Sequence, residues 1–257
     1  MNPLTELVTL VRANGILWSA YFLVNRATAG VAAAADRRMQ AREQRHQLPG
    51  INSVLRNREV WNTADWSHGG EKWTPSEEWK EALVTDVMRP HLPPGAVVLE
   101  IGPGAGRWSA FLQRQARHLI LVDISERCLQ LCREQFAEHS NVSYLLVDSP
   151  SLPGLDDESV DFVWSFDVFV HIAPSDTASY LRELARVMRR GAVGVIHHPG
   201  QGRSYGGYRS AVTAESFAGM VKEAGLHFVR QFDAWGDRQQ FDVRMHRDAI
   251  TVFARPA

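Results

Sequence analysis

A doubly wound α/β sheet is predicted for the greater part of this 257-residue chain, on three observations. Short apolar runs alternate with amphipathic stretches from residue 97 to residue 254, the pattern of strands crossed over by helices. One run, Val97–Ile101, leads straight into Gly-Pro-Gly-Ala-Gly at 102–106. Acidic residues stand at or near the ends of three successive runs, at Glu100, Asp123 and Asp148.

Ahead of the sheet, residues 4–35 are rich in Leu, Val and Ala and read as an amphipathic helix. The longest uncharged run there, 13–25, is shorter than the ~20 apolar residues that cross a bilayer. Glu6 in the leader position and Arg26 within the stretch argue against a cleaved signal. Packing on the domain or a homodimer contact is the expected use, with peripheral membrane contact as the alternative. Residues 36–48 add a charged helical stretch closed by Pro49 and Gly50. The reading is therefore a helical extension over 1–50 and a main domain over 51–257.

A tryptophan-rich approach follows, with Trp61, Trp66, Trp73 and Trp79, and a helix is predicted from Thr74 to Arg89, before Pro93, Pro94 and Gly95. Strand one is 97–101, followed by a helix over 106–116; strand two is 119–123, followed by a helix over 127–137. Strands three and four are 142–147 and 160–166. A helix over 175–190 is expected to stop at Gly191, with strand five at 192–197. A helix over 213–224 ends before Gly225, and 226–232 and 249–254 form a closing pair.

The glycine turn carries the first chemical inference. Gly102, Gly104 and Gly106 lack Cβ atoms, so the backbone there can approach a nucleotide-like ligand. A dinucleotide turn reads G-x-G-x-x-G, but its third glycine would fall at Arg107. The spacing is instead E-x-G-x-G-x-G, with Glu100 placed to receive an ammonium group and to repel a pyrophosphate. That favours S-adenosylmethionine over a redox dinucleotide.

The segment from Glu100 to Gly106 resembles the first motif of the class I S-adenosylmethionine-dependent methyltransferases, and the motif order follows that family over about residues 95–254. The resemblance implies a seven-stranded Rossmann-like sheet whose last strand is antiparallel. It implies that the glycine turn and Glu100 hold the methionine end of the cofactor and that Asp123 takes the ribose hydroxyls. Asp148, with Ser149, would receive the adenine, and Ile124 and Phe166 would be apolar walls.

Strand four runs into Ser-Phe-Asp-Val-Phe-Val-His at 165–171. The Asn/Asp-Pro-Pro-Tyr of DNA amino-methylating enzymes, the Pro-Cys of cytosine C5 enzymes and a paired-glutamate loop are all missing here. The segment resembles small-molecule O-methyltransferases of the sugar and natural-product kind, with actinobacterial methylmannose-type enzymes as the narrower likeness. A neutral hydroxyl that attacks a sulfonium methyl must lose its proton, and His171 is the expected base. Asp167 is expected to orient it, to bind the acceptor or to ligate Mg²⁺, which some sugar enzymes of this kind use. Of the pair His197 and His198, His198 is expected to face the pocket. Residues 200–207, with Arg203 and Tyr205, and the adjoining Tyr208 and Arg209, read as a lid. The stretch 66–74 is expected either to fold over the cofactor or to pack its tryptophans in the core.

A net charge of −1 and a pI near 6.8 give no basic field for nucleic acid, so the expected partner is a small-molecule or oligosaccharide acceptor. Two cysteines, Cys128 and Cys132, give no disulfide framework and suit a cytoplasmic protein.

Overall fold

The computed structural model describes residue 11 and residues 16–46, 52–202 and 209–257. These fall into two compact units, one holding residues 11 and 16–46, the other 52–202 and 209–257. The expected break at Pro49 and Gly50, residues 4–10 and 12–15 of the apolar stretch, and the lid residues Arg203, Tyr205 and Tyr208 lie outside the described residues.

In the first unit one 31-residue helix, α1 (Ile16–His46), joins the apolar and the charged stretches. Arg45 and His46 close it, as the negative end of a helix dipole favours. Ile16, Leu17, Val24 and Val31 are exposed. Among the described residues no helix is long and apolar enough to cross a membrane.

The second unit opens with α2 (Val54–Thr63), capped by Ser53, and α3 (Glu77–Ala82), whose cap Ser76 accepts from the Trp79 amide at 3.1 Å. The helical run beyond α3 widens to a π turn over Leu83–Met88 and tightens to a 3-10 turn at Arg89–His91, where Pro90 offers no amide for an α turn. Seven strands then form one sheet. They are β1 (Val97–Ile101), β2 (His118–Asp123), β3 (Val142–Leu146), β4 (Val160–Ser165), β5 (Met188–Pro199), β6 (His227–Phe232) and β9 (Asp248–Ala254). A two-stranded hairpin, β7 (Ala234–Trp235) with β8 (Phe241–Asp242), lies between β6 and β9 in sequence and was not foreseen from the pattern.

The sheet order is β3-β2-β1-β4-β5-β9-β6, parallel throughout except for β9, which is antiparallel to both its neighbours. This is the expected seven-stranded architecture. Helices α4 (Ser109–Gln115), α5 (Glu126–Gln135), α6 (Pro174–Val187) and α7 (Ala214–Glu223) supply the crossovers. Both faces are covered, which is why β1 is buried along its whole length. Successive side chains of β1 divide between two cores: Val98 joins Trp108, Leu121 and Trp164, while Leu99 and Ile101 join Leu184, Phe217 and Phe253.

The boundary before β5 differs from expectation. Helix α6 ends at Val187 and β5 already begins at Met188, so Gly191 does not stop a helix. Met188 is buried opposite Val160, and the next pairing is Phe162 with Val193. The intervening residues form an irregularity in which Gly191 takes a left-handed conformation, φ 78°.

Candidate active site

Strand order reverses between β1 and β4, and ligands of such sheets collect there, beyond the carboxyl ends of the strands. The glycine turn leaves β1 at this point. Gly102 has φ 71° and donates its amide to Val122 O at 2.7 Å; a Cβ there would run into the Val168 side chain. Gly104, φ 57°, lies under the Trp66 ring, with only 3.0 Å to spare for a Cβ. Gly106 also has positive φ. A Cβ at Gly102 or Gly106 would thus collide with packed side chains, and one at Gly104 would crowd the Trp66 ring, so these positions call for glycine.

Two buried acids border it. Glu100 is 1% exposed, on the Val98 face of β1, and accepts from Ser109 Oγ at 2.5 Å. Burial pushes its carboxyl up to about 8, against the opposing pull of Ser109 and Arg107. Asp123, at the end of β2, is 7% exposed and accepts from the Ser125 amide at 2.8 Å. Burial raises it to about 7, and no cation offsets this among the described residues. Ile124 is half-buried beside it. Val147 N donates to Asp123 O at 3.0 Å, which ties the β3 exit to the β2 exit. Asp148 follows directly, exposed, and accepts from Ser149 Oγ at 3.1 Å. The glycine turn, Asp123 and Asp148 therefore border one edge of the sheet, as expected.

Helix α2 and the tryptophans after it touch the glycine turn and the exits of β2 and β4. Asn62 Oδ1 accepts from Ser125 Oγ at 2.8 Å, Trp66 covers Gly104, and Asn57 Nδ2 donates to His171 O at 2.7 Å. Trp66 packs on Gly104 and on Trp73. Asn57 and Asn62 were not singled out, since an asparagine within a helix pattern carries no sequence signal.

The β4 exit differs from expectation in three respects. Asp167 has φ 62° and is clamped: Arg107 Nη2 donates to Oδ2 at 2.6 Å, and His197 Nδ1 stands 3.2 Å from Oδ1. These two partners hold its carboxyl well below the ordinary range in spite of burial, which alone would raise it. A carboxylate already engaged by a guanidinium does not suit Mg²⁺, and among the described residues no three His, Cys, Asp or Glu side chains are grouped to hold a metal.

The histidine pair is also reversed. His197 faces Asp167, whereas His198 points to the opposite face of β5. There it stacks on Phe217 at 3.8 Å and hydrogen-bonds Thr251 Oγ1 at 2.6 Å. Burial lowers His198 to about 3, so it is neutral and structural. Alternation along β5 is the cause: His197 shares a face with Val195 and His198 with Ile196. Phe166, finally, packs in the aromatic core among Trp79, Trp108 and Trp164, and stacks on His197 at 4.2 Å. It is not an open wall.

His171 ends a 3-10 turn, Phe169–His171, directly after this exit. Its ring lies 5.3 Å from Trp61, and Trp61 lies 6.1 Å from Trp73, which is 40% exposed. Residues missed from sequence are Arg107, His197 and Asp248. Asp248 is 3% exposed, 3.3 Å from His197 Nε2 and 2.9 Å from Arg209 Nη1.

Comparison with known proteins agrees with this geometry. Residues 98–191 match the family model described as a methyltransferase domain. The chain is 30% identical over 155 residues to the demethylmenaquinone methyltransferase of Clavibacter sepedonicus, covering 56% of this chain and 61% of that protein. It is also 30% identical over 122 residues to the squalestatin hexaketide synthase of a Phoma species, covering 42% of this chain and only 5% of the synthase. Among solved structures, the N-methyltransferase NodS from Bradyrhizobium japonicum, with bound S-adenosyl-L-homocysteine, gives a TM-score of 0.61 at 16% identity and covers 79% of this chain and 99% of its own. The 1,6-didemethyltoxoflavin-N1-methyltransferase from Burkholderia thailandensis gives 0.58 at 19% identity, covering 79% and 88%. At such identities the structures show a shared fold. Residues 98–191 thus resemble a methyltransferase domain, and the second unit has the fold common to these proteins.

Proposed function

We propose that this chain is an S-adenosylmethionine-dependent O-methyltransferase acting on a hydroxyl of a sugar or oligosaccharide. The observation that carries the cofactor is Asp123, a buried carboxyl with no cationic partner among the described residues, beside a turn built of positive-φ glycines. Such a group accepts hydrogen bonds from a ligand's hydroxyls. Glu100 and the glycine turn hold the methionine end, Asp123 the ribose, and Asp148 with Ser149 the adenine, flanked by Ile124. When bound, the cofactor supplies an electrophilic methyl on a sulfonium.

The chain's own part is to orient the acceptor and take its proton. His171, which ends the 3-10 turn at the β4 exit, is the base in this reading, while Asp167 and His198 are held by Arg107, His197 and Thr251. Asn57 fixes its backbone through the carbonyl. Trp61 and the exposed ring of Trp73 beside it suit the apolar face of a sugar ring. The two free, buried thiols, Cys128 and Cys132, fit a reducing cytoplasm, and α1 is the candidate homodimer contact.

A second reading, an apolar acceptor such as a quinone, is favoured by the likeness to the demethylmenaquinone methyltransferase. Methyl-labelled cofactor offered with panels of saccharides, phenols and quinones separates the two. Label on a saccharide hydroxyl is expected, and label on quinones alone would support the second. His171→Ala is expected to lower kcat by about 10²- to 10⁴-fold with binding of S-adenosylhomocysteine retained; unchanged turnover would reject His171 as the base.

A further inference from the structure

Charges of alternating sign run across the carboxyl edge of the sheet. Lys80 pairs with Glu71, which accepts from Thr74 Oγ1 at 2.8 Å; Thr74 Oγ1 in turn accepts from Arg107 Nη1 at 3.2 Å. Arg107 pairs with Asp167, Asp167 with His197, His197 with Asp248, and Asp248 with Arg209. The signs alternate from Lys80 to Arg209 only while His197 carries a proton. His197 is the member of this series whose ordinary titration lies near neutrality. Its loss of charge would cut the series in two.

The imidazole is 2% exposed, and both its nitrogens face carboxylates, at 3.2 Å (Asp167) and 3.3 Å (Asp248). Burial opposes the charged form, but the two acids together outweigh it and raise the group above its ordinary value. The charged neighbours are Asp167 from the β4 exit, with Arg107 behind it, and Asp248 from β9, with Arg209 behind it. His198 is adjacent on β5 and neutral, and Phe166 covers a ring face.

We propose that His197 is a positioning residue for the cofactor crevice: clamped between Asp167 and Asp248, it fixes the turn at Asp167 and, through it, the glycine turn. This rests on the cofactor reading above. Asp167 touches the glycine turn on two sides. Its carboxylate holds Arg107, which directly follows Gly106, and its neighbour Val168 packs over Gly102. Its own backbone is left-handed, φ 62°, a conformation that aspartate adopts more readily than most residues and that the two partners hold here. His197 Nδ1 has two alternative partners there. With a proton it donates to Asp167 Oδ1; without one it accepts from the Asp167 amide, 3.1 Å away. Loss of the proton exchanges one contact for the other and leaves the carboxylate to Arg107.

The test is calorimetric titration of S-adenosylhomocysteine into the full chain from pH 6 to pH 9, for the unaltered protein and His197→Gln. Glu100 and Asp123 titrate in both proteins and cancel in the ratio of affinities. The variant is expected to bind about tenfold more weakly at pH 6, with the gap closing toward pH 9 as the unaltered protein loses the same charge. A gap that is constant with pH, or none, would overturn the proposal. Linkage supplies a second readout that needs no variant. Saturating S-adenosylhomocysteine must raise the His197 titration midpoint, followed by imidazole NMR, by about one pH unit for a tenfold effect; an unmoved midpoint would overturn the proposal as well. Failure of the unaltered protein to bind S-adenosylhomocysteine at any pH would overturn the cofactor reading itself, and this inference with it.

Discussion

The acids on the two sides of the β1–β4 divide are treated in opposite ways. On the β1–β2 side, Glu100 and Asp123 are buried with no cation in contact among the described residues, and burial pushes them up to about 8 and about 7. On the β4–β5–β9 side, Asp167 is clamped by Arg107 and His197, and Asp248 by His197 and Arg209. The difference separates acids without a cationic contact among the described residues from acids held between cationic side chains. An acid whose lone pairs face no internal cation can take donors from outside. An acid with two cationic partners holds elements together, and here it joins the glycine turn, β4, β5 and β9.

The largest expected effect that would break this comparison is on stability. Arg107→Met leaves Asp167 with one partner, and we expect a loss of about 2–3 kcal/mol in urea unfolding, less than for a fully buried pair because the Asp167 side chain is 30% exposed. Glu100→Gln preserves the neutral form of a group that already holds its proton at pH 7, so it should cost less than about 1 kcal/mol. Equal losses from both variants would erase the distinction.

The pH dependence of stability sharpens it. For Glu100 and Asp123 the folded values are raised, so the folded state binds more protons than the unfolded chain. Their contribution is full below the unfolded carboxyl values and is lost as pH rises through about 7 and about 8. His197, also raised, contributes fully below its unfolded value near ~6.5 and loses that contribution as pH rises through its folded one. Asp167 is lowered, so its contribution is present above the unfolded value and is lost as pH falls toward the folded one. Denaturant unfolding between pH 6 and pH 8.5 should therefore show stability falling, by at most about 1.4 kcal/mol per pH unit for each raised group. Glu100→Gln should flatten part of that slope, and stability that instead rises over this window would contradict the account.

The open side was legible in the sequence and the clamped side was not. A glycine turn after an apolar run, and acids at the ends of successive runs, are local patterns, and Gly102, Gly104, Asp123 and Asp148 follow from them. The clamp is non-local. Choosing His197 over His198 needs the facing of β5, and that strand starts at Met188, four residues earlier than the pattern suggests. Asp248 begins β9 one residue before the expected start, where an acid reads as a loop residue. Arg107 drew notice only as the residue that rules out a dinucleotide turn, since its partner lies 60 residues away. Phe166 reads as a crevice wall until the tryptophans packed around it are known.

The central claim is that Asp123 and the glycine turn receive the adenosyl group of S-adenosylmethionine. Calorimetry of S-adenosylhomocysteine and NAD with the unaltered protein and Asp123→Asn tests it most directly. The account predicts that S-adenosylhomocysteine binds, that NAD does not, and that Asp123→Asn weakens binding by about 1.5–3 kcal/mol while the protein stays folded. Binding of NAD, or an affinity for S-adenosylhomocysteine indifferent to Asp123, would contradict it.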